Sequence, residues 1–344
     1  MKKVSKLVVI FAMFALMLGA LAGCGGGDSD SGTGDEGGNQ EVVKLKAGST
    51  PNADHAYNVG LEKFAELVKE RSDGKFEIEI YPASQLGSER ELVEGLQMGT
   101  VDITVVSSAP VSGFSDAFLV TDLPFMFKNR DHAYDVLDGE IGQGLLAELE
   151  GTGIKGLAIW ENGYRNITNS VRPIEVPADM EGIKIRTMEN PIHMDSFSQI
   201  GADPTPMAFG ELFTALQQGT VDAQENPLAI IEVSKFYEVQ DHLALTGHVY
   251  AAAPMLISQE TWDGLSAEDQ EMFQKAADEA RDFERQLLID ADAELLQKLK
   301  DEGMQVTTPD KGPWQEAMAP VYDKWADRIG QDLIDSIKEV GNNY

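Results

Sequence analysis

The chain is poor in positive charge, in cysteine and in catalytic signatures. It has 58 acidic side chains against 27 lysines and arginines, for a net charge of −31. A surface this acidic repels phosphate backbones and anionic lipid, which excludes nucleic acid and a bare membrane surface as partners. Its ordinary use is solubility. Cys24 is the only cysteine, so no disulfide can form within the chain. The apolar run at residues 7–22 is shorter than the ~20 residues that span a bilayer. No P-loop, HExxH or GxSxG pattern occurs, and the five histidines (His55, His132, His193, His242, His248) have no ligand spacing. No catalytic residue, metal or cofactor is therefore expected. "GTGIKG" at residues 151–156 has dinucleotide-loop spacing but the wrong context. It follows a helical stretch and precedes the strand "LAIW", whereas a phosphate loop follows a strand and opens a helix.

What is present begins with an address. Lys2, Lys3 and Lys6 precede an apolar core and then "LAGC" at residues 21–24, the layout of a secretory signal. "LAGC" resembles the bacterial lipobox, in which the cysteine becomes the lipidated first residue of the mature protein. That predicts an extracytoplasmic protein anchored through Cys24, since a two-chain lipid suffices for stable anchoring. Residues 25–40 hold seven glycines, four acids and nothing apolar. They read as a flexible tether of ~20–25 Å.

The most informative pattern in the chain is a repeat. "ELVEGLQMGTVDIT" (91–104) and "ELFTALQQGTVDAQ" (211–224) share eight of fourteen positions. In each copy two leucines four apart mark one helix face, a glycine follows the helix, and a valine opens a strand. The separation is too long for a solenoid and fits two α/β lobes of similar build. Clefts between such lobes are where small ligands bind.

Around the copies, "VVKLKAGST", "KFEIEIYP", "VDITVVSS", "GIKIRT" and "VDAQENP" read as strands, "IKGLAIW" as a strand running into the loop "ENGYR", and "HVYAAAPMLIS" as an extended crossing segment. Strands alternating with helices predict an α/β fold with mostly parallel sheets. Ser266 followed by Glu268 and Asp269 starts a helix and Gly303 stops it. Unbroken, its roughly 36 residues would run ~54 Å, across both lobes, with a kink as the alternative.

In open α/β sheets ligands bind beyond the carboxyl ends of the strands. Ser107, Arg165, Arg186 and Asn226 fall at such ends. In so acidic a molecule an anion site must rest on local contacts, and a guanidinium fork holds a carboxylate with two charge-assisted hydrogen bonds. The alternative for Arg165 and Arg186 is surface pairing with nearby acids. Phe209 is either a cleft wall or core, Trp160 reads as core, and His55 either donates to a ligand oxygen or caps the helix after it.

"YPASQLGSERELVEGLQMGTVDI", "WENGYRNITNSVRPIEVPADMEGIKIR", "GADPTPMAFGELFTALQQGTVDAQENP" and "KFYEVQ" resemble the substrate-binding proteins of tripartite ATP-independent periplasmic (TRAP) transporters. The resemblance implies a two-lobed, periplasmic-binding-protein-like fold (type II-like), with crossing hinge strands and a long C-terminal helix spanning both lobes. It implies a non-enzymatic receptor that closes on an organic acid (a C4-dicarboxylate, a uronate or a related sugar acid) and hands it to permease subunits driven by an ion gradient. The "KIR" arginine, Arg186, would pair with the ligand carboxylate. Arg165, Asn226 and Phe209 match further contacts, while Glu89, Ser107 and, less directly, Thr50 fall at positions that vary with the ligand. Sialic-acid receptors carry an acid where this chain has Ser107, which argues against that ligand. The expected division is a signal at 1–23, the lipidated cysteine and tether at 24–40, one lobe from 41–162 with 252–290, and the other from 163–251 with 291–344. A receptor serving a sensor kinase, or a secreted α/β enzyme, are the alternatives.

Overall fold

The computed structural model describes residues 42–344. The expected signal, the tether and Cys24 lie outside the described residues. Nine strands form one hydrogen-bonded sheet among the described residues, in the order β2-β1-β3-β8-β4-β7-β5-β6, with β9 beside β8. They are β1 (Val43–Gly48), β2 (Phe76–Tyr81), β3 (Ile103–Val105), β4 (Ile154–Asn169), β5 (Lys184–Thr187), β6 (Asp203–Pro206), β7 (Ala223–Asn226), β8 (His242–Ser258) and β9 (Gln305–Thr307).

The two ends of this sheet are built alike. β1 lies between β2 and β3, and β5 lies between β6 and β7, all parallel. Helices α1 (Ala56–Arg71) and α2 (Glu89–Gln97) connect the first trio. In the second trio, α4 (Pro191–Gln199) and α5 (Phe209–Gln217) do so. Helix α3 (Arg130–Asp138) follows the first trio. The repeat explains the likeness. Gly99 and Gly219 end α2 and α5 at φ +66° and +67°, a conformation that a side chain strains. The aspartates of the two "TVD" segments then do the same job. Asp102 accepts the Lys46 amide (2.8 Å) and Asp222 accepts the Lys184 amide (3.1 Å), which fixes each third strand beside its first.

β4 and β8 join the trios. They pair antiparallel from Ile154–Ser258 to Asn169–His242, with β3 against β8 at one end and β7 against β4 at the other. "ENGYR", expected as a loop, is therefore part of a sixteen-residue strand. Its backbone groups find partners on β8, and bulges at Glu161–Gly163 and Arg165–Ile167 absorb the irregular sequence. Gly163 adopts φ +114° there. The sheet is thus parallel within each half and antiparallel across the middle.

Helix α6 (Ala267–Asp301) runs 35 residues without a break. Ser266 and Asp269 form a capping box at its start. α6 packs on α1 of the first half and on the short helix Leu228–Val233 of the second. Two helices close the chain, α7 (Pro320–Ile329) and α8 (Gln331–Gly341). α8 falls in the 291–344 segment grouped above with the second lobe. It packs Ile334 and Ile337 into one apolar cluster with Val136 and Leu137 of α3.

Candidate functional site

Arg186 is the third residue of β5 and is almost fully buried. Its Nε and Nη2 donate to the Met207 carbonyl at 2.9 and 2.7 Å. Nη1 is buried with no hydrogen-bond partner among the described residues. Burial pulls its pKa down to about 10, partly offset by the charge of Glu225, so the guanidinium stays protonated at neutral pH. A buried cation with an idle donor calls for an anion.

Arg165 lies deeper. Its fork meets the Glu225 carboxylate, Nε to Oε2 at 2.5 Å and Nη2 to Oε1 at 2.8 Å, and neither residue is exposed. Nη2 also donates to Asn226 Oδ1 (3.1 Å), which sets the direction of that amide. The His248 Nε2 stands 3.2 Å from Glu225 Oε2. Burial alone would raise the Glu225 carboxyl, but the Arg165 charge and the His248 contact outweigh it and hold it well below the ordinary range. The alternative of a surface pairing for Arg165 does not hold, because its acid partner Glu225 is as buried as it is. Its Nη1, like that of Arg186, has no partner among the described residues.

A narrow cavity of about 280 Å³ lies between the halves. Thr50, Pro51, Tyr57, Glu89, Ser107 and Asn162 line one side, and Arg186, Met188, Phe209, Asn226 and Ile230 the other. Only about 10 Å³ of it is free space, room for about one water and far below an ordinary ligand site. A wider groove of about 1380 Å³ around Lys75, Met98 and Asp269 is open to solvent and lies away from the arginines.

On the first side, α2 begins at Glu89 because Ser88 and Glu91 form a capping box before it. Glu89 Oε1 accepts the Ser107 amide (2.8 Å), and loss of hydration raises its carboxyl pKa. Ser107 Oγ accepts from Asn162 Nδ2 (3.0 Å). Phe209 opens α5 at the matching place across the cavity, edge-on to Phe236.

Six of the residues singled out in the sequence therefore meet at one cavity: Thr50, Glu89, Ser107, Arg186, Phe209 and Asn226. Arg165 stands behind Asn226. His55 does not line it. His55 caps α1, its Nδ1 accepting the Tyr57 amide at 3.2 Å, and burial lowers its pKa to about 3. Trp160 is core, packed against Gly60. Tyr57, Asn162 and Glu225 escaped the sequence reading. The available signal for Glu225 was an acid inside the strand "VDAQENP" of a sheet expected to be mostly parallel.

Residues 47–328 match the family described as bacterial extracellular solute-binding protein, family 7. The 2,3-diketo-L-gulonate-binding periplasmic protein of Escherichia coli is 36% identical, over 86% of this chain and 92% of its own length. The C4-dicarboxylate-binding periplasmic protein of Rhodobacter capsulatus is 34% identical, over 87% and 91%. Among solved structures, a TRAP periplasmic solute binding protein from Polaromonas sp. JS666, bound to D-erythronate, superposes with a TM-score of 0.84. It is 44% identical, over 86% of this chain and 98% of that one. These relatives are transport receptors and not enzymes. The chain belongs to the bacterial extracellular solute-binding protein family 7, the extracytoplasmic solute receptors of TRAP transporters.

Proposed function

We propose that this receptor captures a small organic acid between its two halves, with Arg186 as the carboxylate anchor, and delivers it to a TRAP permease. The observation that supports this most is the pair of buried guanidinium groups whose Nη1 atoms have no partner among the described residues. Arg186 offers Nη1 to one carboxylate oxygen. Asn226 and Arg165 complete the second-half wall, Arg165 by turning the Asn226 amide and by its own Nη1. Phe209, Thr50, Ser107 and Glu89 shape the remainder. Burial of the bound carboxylate away from water strengthens each of these contacts.

The lobes that close are the two expected from the sequence, 41–162 with 252–290 and 163–251 with 291–344, with α8 riding on the first. Lipid attachment at Cys24 and the tether would hold the receptor at the membrane. No helix among the described residues is long and apolar enough to cross one.

Calorimetry with a panel of organic acids tests the reading. Replacing Arg186 by Ala removes one partner of a buried charge pair and is expected to cost about 2–5 kcal/mol of binding. Arg186→Lys keeps the charge without the fork and loses less. Unchanged affinity in Arg186→Ala would sink the assignment. Before any variant is made, a ligand at 100 times its dissociation constant should stabilise the parent by about 2.7 kcal/mol in a thermal-shift screen.

A further inference from the structure

We propose that the acid is a hydroxylated monocarboxylate, and that Glu89 and Asn162 select it by accepting hydrogen bonds from its hydroxyl groups. The inference rests on the carboxylate reading above and concerns the opposite wall.

The two walls differ in hydrogen-bond sense. The second-half wall presents the idle donor of Arg186. On the first-half wall, the Asn162 amide is turned so that Nδ2 donates to Ser107 Oγ (3.0 Å). That leaves Asn162 Oδ1 buried with no donor among the described residues. Glu89 accepts the Ser107 amide on Oε1, and an ionised carboxylate has capacity for several donors. The Tyr57 hydroxyl, also buried and unpartnered among the described residues, can give or take. This wall therefore offers acceptors that need donors. A hydroxyl provides one. A second ionised carboxylate provides none, being an acceptor only.

Charge points the same way. Arg186 and Glu89 are the cation and the anion among the lining residues. Arg165 is already matched by Glu225. One carboxylate has Arg186 as its partner, whereas a second, facing Glu89, would be a desolvated anion beside an acid and without a cation of its own.

Matched ligands test this by calorimetry at pH 7 on the whole mature protein: D-erythronate, succinate and butyrate at four carbons, galactonate and adipate at six. A site built to hydrogen-bond a hydroxyl rejects analogues without one, so the hydroxy acid of the better-fitting length should bind about a hundredfold or more tighter than its unhydroxylated partners. Butyrate separates the hydroxyl effect from charge and needs no variant. Glu89→Gln keeps the Ser107 contact but turns one acceptor into a donor. It should weaken the hydroxy acid by about tenfold and narrow its margin over the dicarboxylate. Succinate or adipate binding the parent as tightly as the hydroxy acid of equal length would overturn this inference and leave the carboxylate reading standing. So would an unchanged margin in Glu89→Gln. Silence towards every acid offered would overturn both.

Discussion

The trios β1-β2-β3 and β5-β6-β7 share one frame and carry opposite chemistry. The aspartate contacts bring Lys46 and Lys184 to the same place in each, so Gly48 in the first half stands where Arg186 stands in the second. Gly48 has no room for a side chain. A Cβ there would lie 2.5 Å from Leu92 Cδ2. In the repeat, Val105 likewise matches Glu225, and Glu89 matches Phe209. The first half closes its strand ends with apolar packing and presents an acid from a helix start. The second half presents a cation, Arg186, from a strand end and an aromatic ring from the helix. Equivalent positions of the two frames thus carry different chemistry to the two sides of the cavity.

The largest test of this contrast is Glu225→Gln. Removing one partner of a fully buried ion pair is expected to cost about 3–5 kcal/mol of stability in urea denaturation. Val105→Ala, at the matching place, leaves only a cavity and should cost about 1.5–3 kcal/mol. Equal losses would mean that the pair is no more than packing. The pH dependence follows from the depressed Glu225 carboxyl. Its stabilisation is fully present above its unfolded pKa, about 4.3, and is lost as pH falls from there towards the folded value. Melting temperature should therefore drop on acidification in the parent, and less steeply in Glu225→Gln.

Next comes the Gly48 and Arg186 pair. Gly48→Ala should destabilise by about 1–3 kcal/mol through the clash with Leu92. Arg186→Ala removes a buried cation with an unmet donor, and should leave stability within about 1 kcal/mol of the parent while binding is lost. A large loss of stability in Arg186→Ala would make that residue structural.

The smallest effect concerns the repeated aspartates. Asp102→Ala and Asp222→Ala should each cost about 1–2 kcal/mol. Asp102 should cost slightly more, because it also accepts from Thr261 Oγ1 at 2.8 Å. A strong difference in the other direction would break the equivalence of the two frames.

Local signals were legible in the sequence. The repeated helix stops at Gly99 and Gly219, the capping of α6 by Ser266, and the strand ends at Arg186 and Asn226 all follow from short patterns. What was hidden depended on distant partners. "ENGYR" looks like a loop until β8 lies beside it. β9, three residues long, exists through its pairing with β8. Glu225 meets Arg165 across 60 positions of chain. His55 and Tyr57 lie two residues apart, and only packing decides that Tyr57 faces the cavity while His55 caps a helix.

The place of α8 has a consequence for how the chain is made and exported. Ile334 and Ile337 complete an apolar cluster begun by residues some 200 positions earlier. β8 must also arrive before β3 and β4 gain their second neighbour. Synthesised from the amino end, the chain cannot finish even its first half until nearly all of it has emerged. Contacts so far apart in sequence make folding slow. For an extracytoplasmic receptor, that delay leaves the core unfinished until the last helix has been made.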